Sequence, residues 1–554
     1  MLTLFVPVIK KEVGRLAILL QSLKHFMEPG GMKILILTPA SHLKEVSEAV
    51  RKLPKPDVEI KFLTDEEVYP YDRKSTTGWE RQQALKLLVS RHIDTDFYLI
   101  FDCDVFATKR FAERDLVQND KGIMDLQSKP SEFQDISMVA EMIGMEPKEK
   151  DIEVMKVTPA LLSTHITRNL LNHLEKKHCQ GTTTSLPEYL YKSLAINQDE
   201  ALERVTEYML YYLYALHSGE LWKRHYKGLL ICNHNVWYPE ECFEWDPSKV
   251  FSDQGYFCVY QGNFRVPATI VFDQIRDYIG VPRDRHVPKI SCLMVTKDRL
   301  PLVKTAVGCF QNQTYPNKEL VVVCDAPDGV KEYVESLKDS RIVLFQLPPK
   351  SKTLGELRNF SIDKATGELI TQWDDDDWYH PSRLSIQYNR LKDRKVDACL
   401  MSQWLMAWPG AGRYAISNAR KDGWEGTMLA KKTVVPRYSN LRKFEDTEMM
   451  KRLFRTAKVH IMNDPDYYFL YVYLVHGNNT WDKEHFRTMF DYGSPIDREW
   501  PHSSDKLSKK LSELVGMKYE GYTFVPTHQE QVSSTISLVI LLLLFVGVWY
   551  LLMR

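Results

Sequence analysis

The chain has 554 residues, which is more than one ordinary domain holds and indicates roughly two to four domains. Its 44% hydrophobic and 26% charged residues are typical of a globular protein. The 73 basic and 73 acidic residues cancel, so the overall charge does not indicate nucleic-acid binding, and we expect no nucleic-acid partner. Nine scattered cysteines without a C-x-x-C pair argue against a disulfide framework or a structural zinc site, and they fit a reducing compartment.

The first half alternates strand-like and helix-like segments. Short apolar runs favour strands, and longer runs with apolar residues three or four positions apart favour helices. Such alternation predicts a parallel sheet covered by helices. The predicted strands are residues 4–9, 33–37, 58–63 and 97–101, and the predicted helices are residues 15–26, 43–53 and 78–87.

Two carboxylates follow the last of these strands. Asp102 and Asp104 are two positions apart, so their side chains point to the same side of an extended segment. Carboxylate oxygens in that arrangement suit Mg²⁺ or Mn²⁺, and we expect both residues to be metal ligands.

Upstream, Gln82 and Gln83 are either ordinary helix surface or contacts to a nucleotide or sugar. Glu207 opens an aromatic helix-like segment; we expect it on a helix surface, with a catalytic base or an acceptor contact as the alternatives.

The first half resembles an uncharacterised family of proposed glycosyltransferases. The resemblance rests on the G-W-x-x-Q-Q segment at residues 78–83, followed by the D-x-D that ends strand 97–101. It covers most of residues 1–280. The resemblance implies a fold that binds nucleotide-diphospho-sugars, and it does not name the sugar.

The alternation restarts in the second half. A short polar stretch bounded by prolines, residues 282–288, separates the two halves. The same architecture is therefore predicted twice. The predicted strands are residues 290–295, 319–324, 342–345 and 369–373, and the predicted helices are residues 302–311, 330–337 and 354–364.

Four consecutive aspartates, residues 374–377, follow the last predicted strand and are flanked by aromatic residues. In an extended segment Asp374 and Asp376 face the same side. Such hard oxygen ligands suit Mg²⁺ or Mn²⁺, whose coordination is usually completed by water and substrate phosphates. Ligand sites of open α/β sheets lie at these strand ends. The position therefore favours a metal-diphosphate site over the alternative, a solvated acidic turn.

The second half resembles the family-2 glycosyltransferases of GT-A fold. The segments ISCLMVTKDR, ELVVVCDAPDG and LGELRNFSIDKATGELITQWDDDDWYHPSRL follow that family in order and spacing. The resemblance implies nucleotide-base contacts by Thr296, Asp298 and Asp325, donor contacts by Gly355, Arg358 and Asn359, and metal and donor contacts by Asp374 and Asp376.

Two departures from the family pattern stand out. Asp325 follows Cys324 where the family usually has paired aspartates, so one carboxylate is available there. Lys297 and Asp298 stand where the family often has tyrosine and asparagine, and we expect this change to alter the nucleotide preference.

Downstream, Glu445 and Asp446 match the acidic pair with which the family opens a helix. The resemblance implies that Asp446 is the general base that deprotonates the acceptor hydroxyl, with Glu445 as the next candidate. A carboxylate at a helix N-terminus also stabilises the helix, and the two roles are compatible. His476 matches a late histidine of the family, and we expect it to contact the metal or a phosphate.

The C-terminal residues 536–553 are uncharged and mostly leucine, valine and isoleucine. As a helix, at about 1.5 Å per residue, they nearly span the roughly 30 Å hydrocarbon core of a bilayer. We expect a single-pass membrane anchor with the catalytic domains on the cytosolic side. Residues 503–516 have apolar side chains at helical spacing among lysines, and they are expected either on an anionic membrane surface or packed against the domain.

These features predict an α/β protein with two tandem GT-A-like, Rossmann-like nucleotide-diphospho-sugar transferase domains and a C-terminal transmembrane helix. The predicted bounds are residues 1–285, 289–500, 501–534 for a juxtamembrane helix and linker, and 535–553 for the anchor. The expected function is bifunctional, metal-dependent sugar transfer from nucleotide sugars to a glycan, glycolipid or glycoprotein, with inversion in the second domain. The alternatives are one active C-terminal domain with a non-catalytic, glycan-positioning first domain, and a membrane-tethered carbohydrate-binding scaffold.

Overall fold

A computed structural model describes residues 1–514 except 70–77, 128–135, 146–152, 195–204, 263–265, 285, 298, 327–328, 350, 478, 480–482 and 497–503. The chain divides into two compact units. The first unit contains Met1–Trp237, Trp245–Gly262 and Ile275–Val281. The second contains the described residues from Pro282 onward together with Tyr238–Glu244 and Asn263–Gln274, two short segments that precede the predicted linker.

The first unit consists of twelve strands and eleven α-helices among the residues that the structure describes. Its strands are β1 (Leu2–Pro7), β2 (Met32–Thr38), β3 (Ile60–Thr64), β4 (Phe97–Ile100), β5 (Val105–Ala107), β6 (Val117–Gln118), β7 (Lys121–Met124), β8 (Leu126–Gln127), β9 (Val154–Met155), β10 (Ala160–Ser163), β11 (His225–Lys227) and β12 (Phe257–Val259). Its helices are α1 (Val13–Phe26), α2 (Ala40–Lys52), α3 (Asp65–Val68), α4 (Gly78–Leu88), α5 (Glu113–Leu116), α6 (Ile136–Ile143), α7 (Thr164–Leu174), α8 (Leu186–Leu194), α9 (Glu207–His217), α10 (Leu221–Arg224) and α11 (Pro247–Phe251).

The main sheet of the first unit has the order β10-β4-β1-β2-β3. Strands β1 to β4 are parallel, and β10 is antiparallel to β4. Successive residues of a strand point to opposite faces, so Phe5 and Leu4 belong to different hydrophobic clusters. Helices α4, α7 and α9 contribute to the cluster of Phe5, and α1 and α2 to that of Leu4. The predicted strand–helix alternation is confirmed.

The second unit contains the remaining elements. Its strands are β13 (Ile290–Thr296), β14 (Lys318–Cys324), β15 (Ile342–Gln346), β16 (Leu369–Gln372), β17 (Trp378–Tyr379), β18 (Ala398–Met401), β19 (Leu405–Trp408), β20 (Arg413–Ile416), β21 (Leu429–Lys431), β22 (Val459–Met462), β23 (Tyr471–Leu474) and β24 (Ser494–Pro495). Its helices are α12 (Ala268–Ile275), α13 (Leu300–Gln311), α14 (Val330–Leu337), α15 (Leu354–Lys364), α16 (Arg383–Arg394), α17 (Glu445–Thr456), α18 (Lys483–Tyr492) and α19 (Ser504–Leu514).

The main sheet of the second unit has the order β15-β14-β13-β16-β21-β18-β22. Strands β13 to β16 are parallel, and β21 is antiparallel to β16. All seven residues of β14 are buried, as in a parallel strand covered on both faces. A second sheet has the order β17-β23-β19-β20-β24. The α/β class is confirmed, and both units share the same core: four parallel strands in one order, followed by an antiparallel strand.

The last described helix, α19, packs within the second unit. Leu507 and Leu511 are buried, and Ser512 Oγ lies 2.6 Å from the hydroxyl of Tyr414. The membrane-surface alternative for this helix is therefore wrong, because its apolar face is already covered. No helix among the residues that the structure describes is long and apolar enough to cross a bilayer. The predicted anchor, residues 535–553, lies outside them.

Candidate active site

A cavity of about 400 Å³ lies at the carboxyl ends of β13, β14 and β16 in the second unit. Thr296 ends β13, Asp325 directly follows β14, and Asp374 and Asp376 follow β16; all four line the cavity. Ligand sites of open α/β sheets lie at this edge. The residues predicted to contact the nucleotide base and the metal are therefore brought together. Asp298, also predicted to contact the base, lies outside the described residues.

The four consecutive aspartates have different surroundings. Residues 374–376 line the cavity, whereas Asp377 is 1% exposed. Asp377 Oδ1 accepts a hydrogen bond from Leu474 N at 3.0 Å, and Oδ2 accepts one from the hydroxyl of Tyr471. Asp377 therefore attaches the aspartate run to β23 and has a structural role.

Burial and neighbouring charges shift the aspartate pKa values in opposite directions. Burial, and then the charge of Asp376, raises the pKa of Asp375 to about 7. Burial also opposes ionisation of Asp376, but a hydrogen bond from His476 and the charge of Arg299 outweigh it and lower the pKa of Asp376. Arg299 Nη1 lies 2.7 Å and His476 Nε2 3.0 Å from Asp376 Oδ2. Asp376 therefore ionises at a lower pH than Asp375.

Asp374 and Asp376 supply the hard carboxylate oxygens that Mg²⁺ and Mn²⁺ prefer. Over the described ranges, no group of three or more His, Cys, Asp or Glu residues is arranged to hold a metal ion by itself. Magnesium sites often take only one or two carboxylates from the protein, and substrate phosphates and water complete them. The residues present thus fit a cation that binds together with a diphosphate. His476 is placed beside Asp376, where it orients that carboxylate.

Arg358, on α15, joins three carboxylates. Its Nη2 lies 3.5 Å from Asp374 Oδ1, its Nη1 3.1 Å from Glu425 Oε1, and its Nε 3.2 Å from Glu445 Oε1. Its side chain is 11% exposed. We call these four residues the second-unit brace. The guanidinium connects the D-x-D segment to the first residue of α17, in addition to lining the cavity.

Sequence reasoning missed Glu425. It lies in the 3₁₀ turn Glu425–Thr427, is 4% exposed, and accepts a hydrogen bond from the hydroxyl of Tyr438. Burial raises its pKa to about 7, although the charge of Arg358 opposes this. It contacts Arg358 across 67 residues of chain, so no local spacing reveals it. The one sequence signal is the preceding Trp424, which also lines the cavity.

Gly355 and Asn359, both predicted near the donor, contact the loop before α17. A Cβ at residue 355 would lie 1.8 Å from the carbonyl oxygen of Ser439, so only glycine allows this close approach. Asn359 exchanges two hydrogen bonds of 2.9 Å with the backbone of Tyr438. These contacts fix the loop that carries the predicted acidic pair.

Glu445 and Asp446 are the first two residues of α17, and both line the cavity. Phe444, directly before them, has a left-handed backbone with φ +61° that turns the chain into the helix. Burial raises the pKa of Glu445, although Arg358 opposes this. Glu445 is 5% exposed and paired with Arg358, whereas Asp446 is only partly buried. Asp446 is thus the more accessible carboxylate of the pair.

In the first unit, Lys86 of α4 joins two carboxylates. Its Nζ lies 3.1 Å from both Asp102 Oδ1 and Glu207 Oε1, and its side chain is 3% exposed. Gln82 donates a hydrogen bond to Asp102 at 2.9 Å. The side-chain amide of Gln83 lies 3.1 Å from Oε1 of Glu207. We call Lys86, Asp102 and Glu207 the first-unit brace. The expectation of Glu207 on a helix surface is wrong, because it is 0% exposed and directed at Lys86.

Asp104 has different partners from Asp102. Its Oδ2 accepts a hydrogen bond from the backbone N–H of Gly262 at 2.8 Å. Burial, and then the negative charge of Asp102, raises the pKa of Asp104 to about 6. The structure therefore places both predicted metal ligands of the first unit at the end of β4, but it connects them to separate parts of the unit.

Residues 291–424 match the glycosyl transferase family 2 model, which confirms the resemblance of the second half. Over 105 residues the chain is 36% identical to the proposed colanic acid biosynthesis glycosyl transferase WcaA of Escherichia coli (strain K12). Over 94 residues it is 33% identical to the GalNAc(5)-diNAcBac-PP-undecaprenol beta-1,3-glucosyltransferase of Campylobacter jejuni. These alignments span 18% and 16% of this chain, and 37% and 30% of the two relatives.

Among solved structures, the chain is similar to residues 1–349 of TarS from S. aureus in complex with UDP-GlcNAc. The identity is 18% and the TM-score 0.30, over 41% of this chain and 71% of that one. The first half matches a model of its own over residues 4–282. The chain therefore belongs to the family of unknown function DUF6492, and its second half carries a glycosyl transferase family 2 segment.

Proposed function

We propose that the second unit transfers a sugar from a nucleotide-diphospho-sugar to a hydroxyl acceptor with the help of Mn²⁺ or Mg²⁺. The observation that supports this most is the cavity at the carboxyl ends of β13, β14 and β16. It collects the carboxylates of Asp325, the D-x-D motif and the acidic pair of α17. The family-2 match over residues 291–424 supports the same reaction.

The donor is proposed to lie along the strand ends. Thr296 and Asp325 accept hydrogen bonds from the nucleotide base. Asp325 is buried, and its Oδ1 has no hydrogen-bond partner among the described residues. Lys352, Arg442 and Lys443 line the same cavity and offset the negative charge of a diphosphate. Asp374 and Asp376 hold the cation, which when bound offsets charge on the departing diphosphate.

The proposed transfer step uses Asp446 as general base. Its carboxylate accepts the proton of the acceptor hydroxyl while that oxygen attacks the anomeric carbon opposite the leaving diphosphate. Attack from the opposite face inverts the configuration at that carbon. The second-unit brace keeps Glu445 occupied with Arg358, which leaves Asp446 accessible at the cavity.

The acceptor is proposed to be a glycan, glycolipid or glycoprotein at a membrane, with both units on the cytosolic side of a C-terminal anchor. The Campylobacter jejuni relative is named for a lipid-linked glycan, and that name supports a membrane acceptor for this chain.

The first unit has two candidate roles, a second transferase or a non-catalytic unit that positions glycan. The shared strand order, with a D-x-D after the fourth strand in both units, supports the bifunctional hypothesis.

A panel of nucleotide sugars tests the proposed function. The full-length chain is assayed for nucleotide release and sugar transfer with Mn²⁺, with Mg²⁺ and with EDTA. We expect turnover of at least one donor that EDTA abolishes and that Asp374→Asn with Asp376→Asn lowers at least 100-fold. Asp393→Asn, an exposed aspartate of α16, is the matched control and should keep the parental rate. Metal-independent turnover, or full activity of the double variant, would contradict the proposed metal site.

A further inference from the structure

Strand pairing aligns the two units residue by residue. In each unit the first strand of the sheet pairs with the second and the fourth. The pairs that set the alignment are Phe5 with Leu35 and Ile100, and Leu293 with Val321 and Gln372. In both units the pairing of the first and fourth strands ends at these residues, and we align the units on that end. Phe5 then corresponds to Leu293, and Asp102 to Asp374, since each aspartate lies two positions beyond the paired residue of its strand.

The three members of the first-unit brace have counterparts in the second-unit brace, which adds Glu425. Lys86 and Arg358 each precede the first D-x-D aspartate by 16 residues, on the helix before the fourth strand, and lie 3.1 and 3.5 Å from it. Each also contacts the first residue of a later helix, at 3.1 Å for Glu207 of α9 and 3.2 Å for Glu445 of α17. The brace is therefore a structural feature common to the two units.

The positions proposed to bind the nucleotide base differ. Counting from the paired residues, Val8 corresponds to Thr296 and Pro39 to Asp325. Val8 is 5% exposed and apolar, and a proline side chain has no hydrogen-bonding group. At these two positions the first unit thus has no side chain that would accept a hydrogen bond from a base.

The position of the proposed general base differs as well. Tyr208 follows Glu207 where Asp446 follows Glu445. Tyr208 is 2% exposed, and its hydroxyl lies 2.6 Å from Thr158 Oγ1. An ordinary phenol titrates near pH 10 and is not a proton acceptor at neutral pH.

We infer that the first unit keeps the brace but is not a second inverting nucleotide-sugar transferase, so that the transfer chemistry of the chain resides in the second unit alone. This inference rests on the proposed function, because the roles of Thr296, Asp325 and Asp446 are taken from it. It favours a non-catalytic first unit over the bifunctional hypothesis.

Counting bound nucleotides tests the inference. Calorimetric titrations of the full-length chain with UDP and with GDP, each in the presence of Mn²⁺, give the number of sites. We expect one nucleotide per chain. Thr296→Val with Asp325→Ala gives the second unit the apolar character of the first, and should weaken binding at least tenfold and leave no second site. Asp393→Asn is the matched control, and a thermal melt verifies that each variant is folded.

The possible outcomes separate the inference from the proposed function. Two nucleotides per parental chain, of which the double variant keeps one, would overturn the inference and leave the function of the second unit intact. A single nucleotide retained at unchanged affinity in the double variant would contradict the base contacts of Thr296 and Asp325 and, with them, the inference. A parental chain that binds neither nucleotide would refute the donor site of the second unit, and it would support the inference that the first unit has none.

A second variant keeps the test decisive if the first one misfolds. Asp446→Asn removes the proton acceptor of the second unit and nothing from the first. We expect every sugar transfer found in the panel to fall at least 100-fold. A transfer that persists at the parental rate while the others fall would belong to another site and overturn the inference, whereas parental rates for every transfer would exclude Asp446 as the base.

Discussion

Replacing Arg358 with methionine tests the second-unit brace. Methionine keeps an unbranched side chain but removes the guanidinium that lies within 3.1–3.5 Å of three carboxylates. Two of these carboxylates, Glu425 and Glu445, are 4% and 5% exposed, so water cannot replace the lost partner. Removing one member of a buried ion pair typically costs about 3–5 kcal/mol, and we expect a loss of that size in the free energy of unfolding.

The loss should depend on pH because Glu425 can take up a proton. Burial already raises the pKa of Glu425 from 4.5 to about 7, and removing the charge of Arg358, which opposes this, raises it further. An acid whose pKa is higher in the folded state loses stability as pH rises from its unfolded pKa to its folded pKa. The Arg358→Met variant should therefore lose about 3–5 kcal/mol at pH 8 and clearly less at pH 6.

Urea unfolding of the full-length chain, followed by tryptophan fluorescence at both pH values, measures this loss. Trp373 and Trp404 are buried in the second unit and report its transition. The matched control is Arg437→Met, because Arg437 is 56% exposed and pairs with the exposed Asp363; its loss should stay below about 1 kcal/mol.

Adding Glu425→Gln to Arg358→Met should restore part of the stability at pH 8, since the buried position no longer carries an unpaired charge. A loss of less than about 1 kcal/mol in Arg358→Met, or a loss that is equal at pH 6 and pH 8, would refute the brace as described.

Three further predictions concern single features. Asp446→Asn should lower kcat by about 10²–10⁴ while nucleotide-sugar affinity, measured by calorimetry, stays parental; a near-parental kcat would exclude Asp446 as the base. Gly355→Ala should lower the free energy of unfolding by about 1–3 kcal/mol in urea titrations, because the new methyl group meets the carbonyl oxygen of Ser439; an unchanged midpoint would contradict that contact. Deleting residues 534–554 should move the protein from the membrane pellet to the soluble fraction, and persistent pelleting at high salt would show that the anchor is misplaced.

The secondary structure was predictable because its signals are local. Apolar runs bounded by turn residues placed β13, β14 and β16 to within two residues of their observed ends. The D-x-D position followed from the same pattern, since parallel strands present their carboxyl ends at one edge. Thr296 and Asp325, by contrast, came from the resemblance to the family-2 glycosyltransferases, and the structure places both at neighbouring strand ends.

The contacts of the charged groups were not predictable because they depend on residues far apart in sequence. The sequence places Glu207 on a helix surface. In the structure α9 packs against α4, and Lys86 of α4 forms an ion pair with Glu207. The resemblance places Gly355 near the donor, but it does not reveal the backbone oxygen of the loop before α17 that leaves no room for a side chain there. Burial of a carboxylate requires a partner, and the sequence does not show which cation that partner is.

The likeness of the two units illustrates the same limit. Their sequences are not near-identical repeats, and Lys86 and Arg358 are different residue types, so a pattern search does not align them. The strand registers do align them, because pairing fixes each residue relative to its neighbours. The residue types of the brace are restricted, because a buried carboxylate without its cation destabilises the fold. A residue that lines the proposed ligand site is not needed to neutralise a buried charge. Tyr208 can therefore occupy the position that Asp446 has in the second unit without destabilising the fold of the first unit.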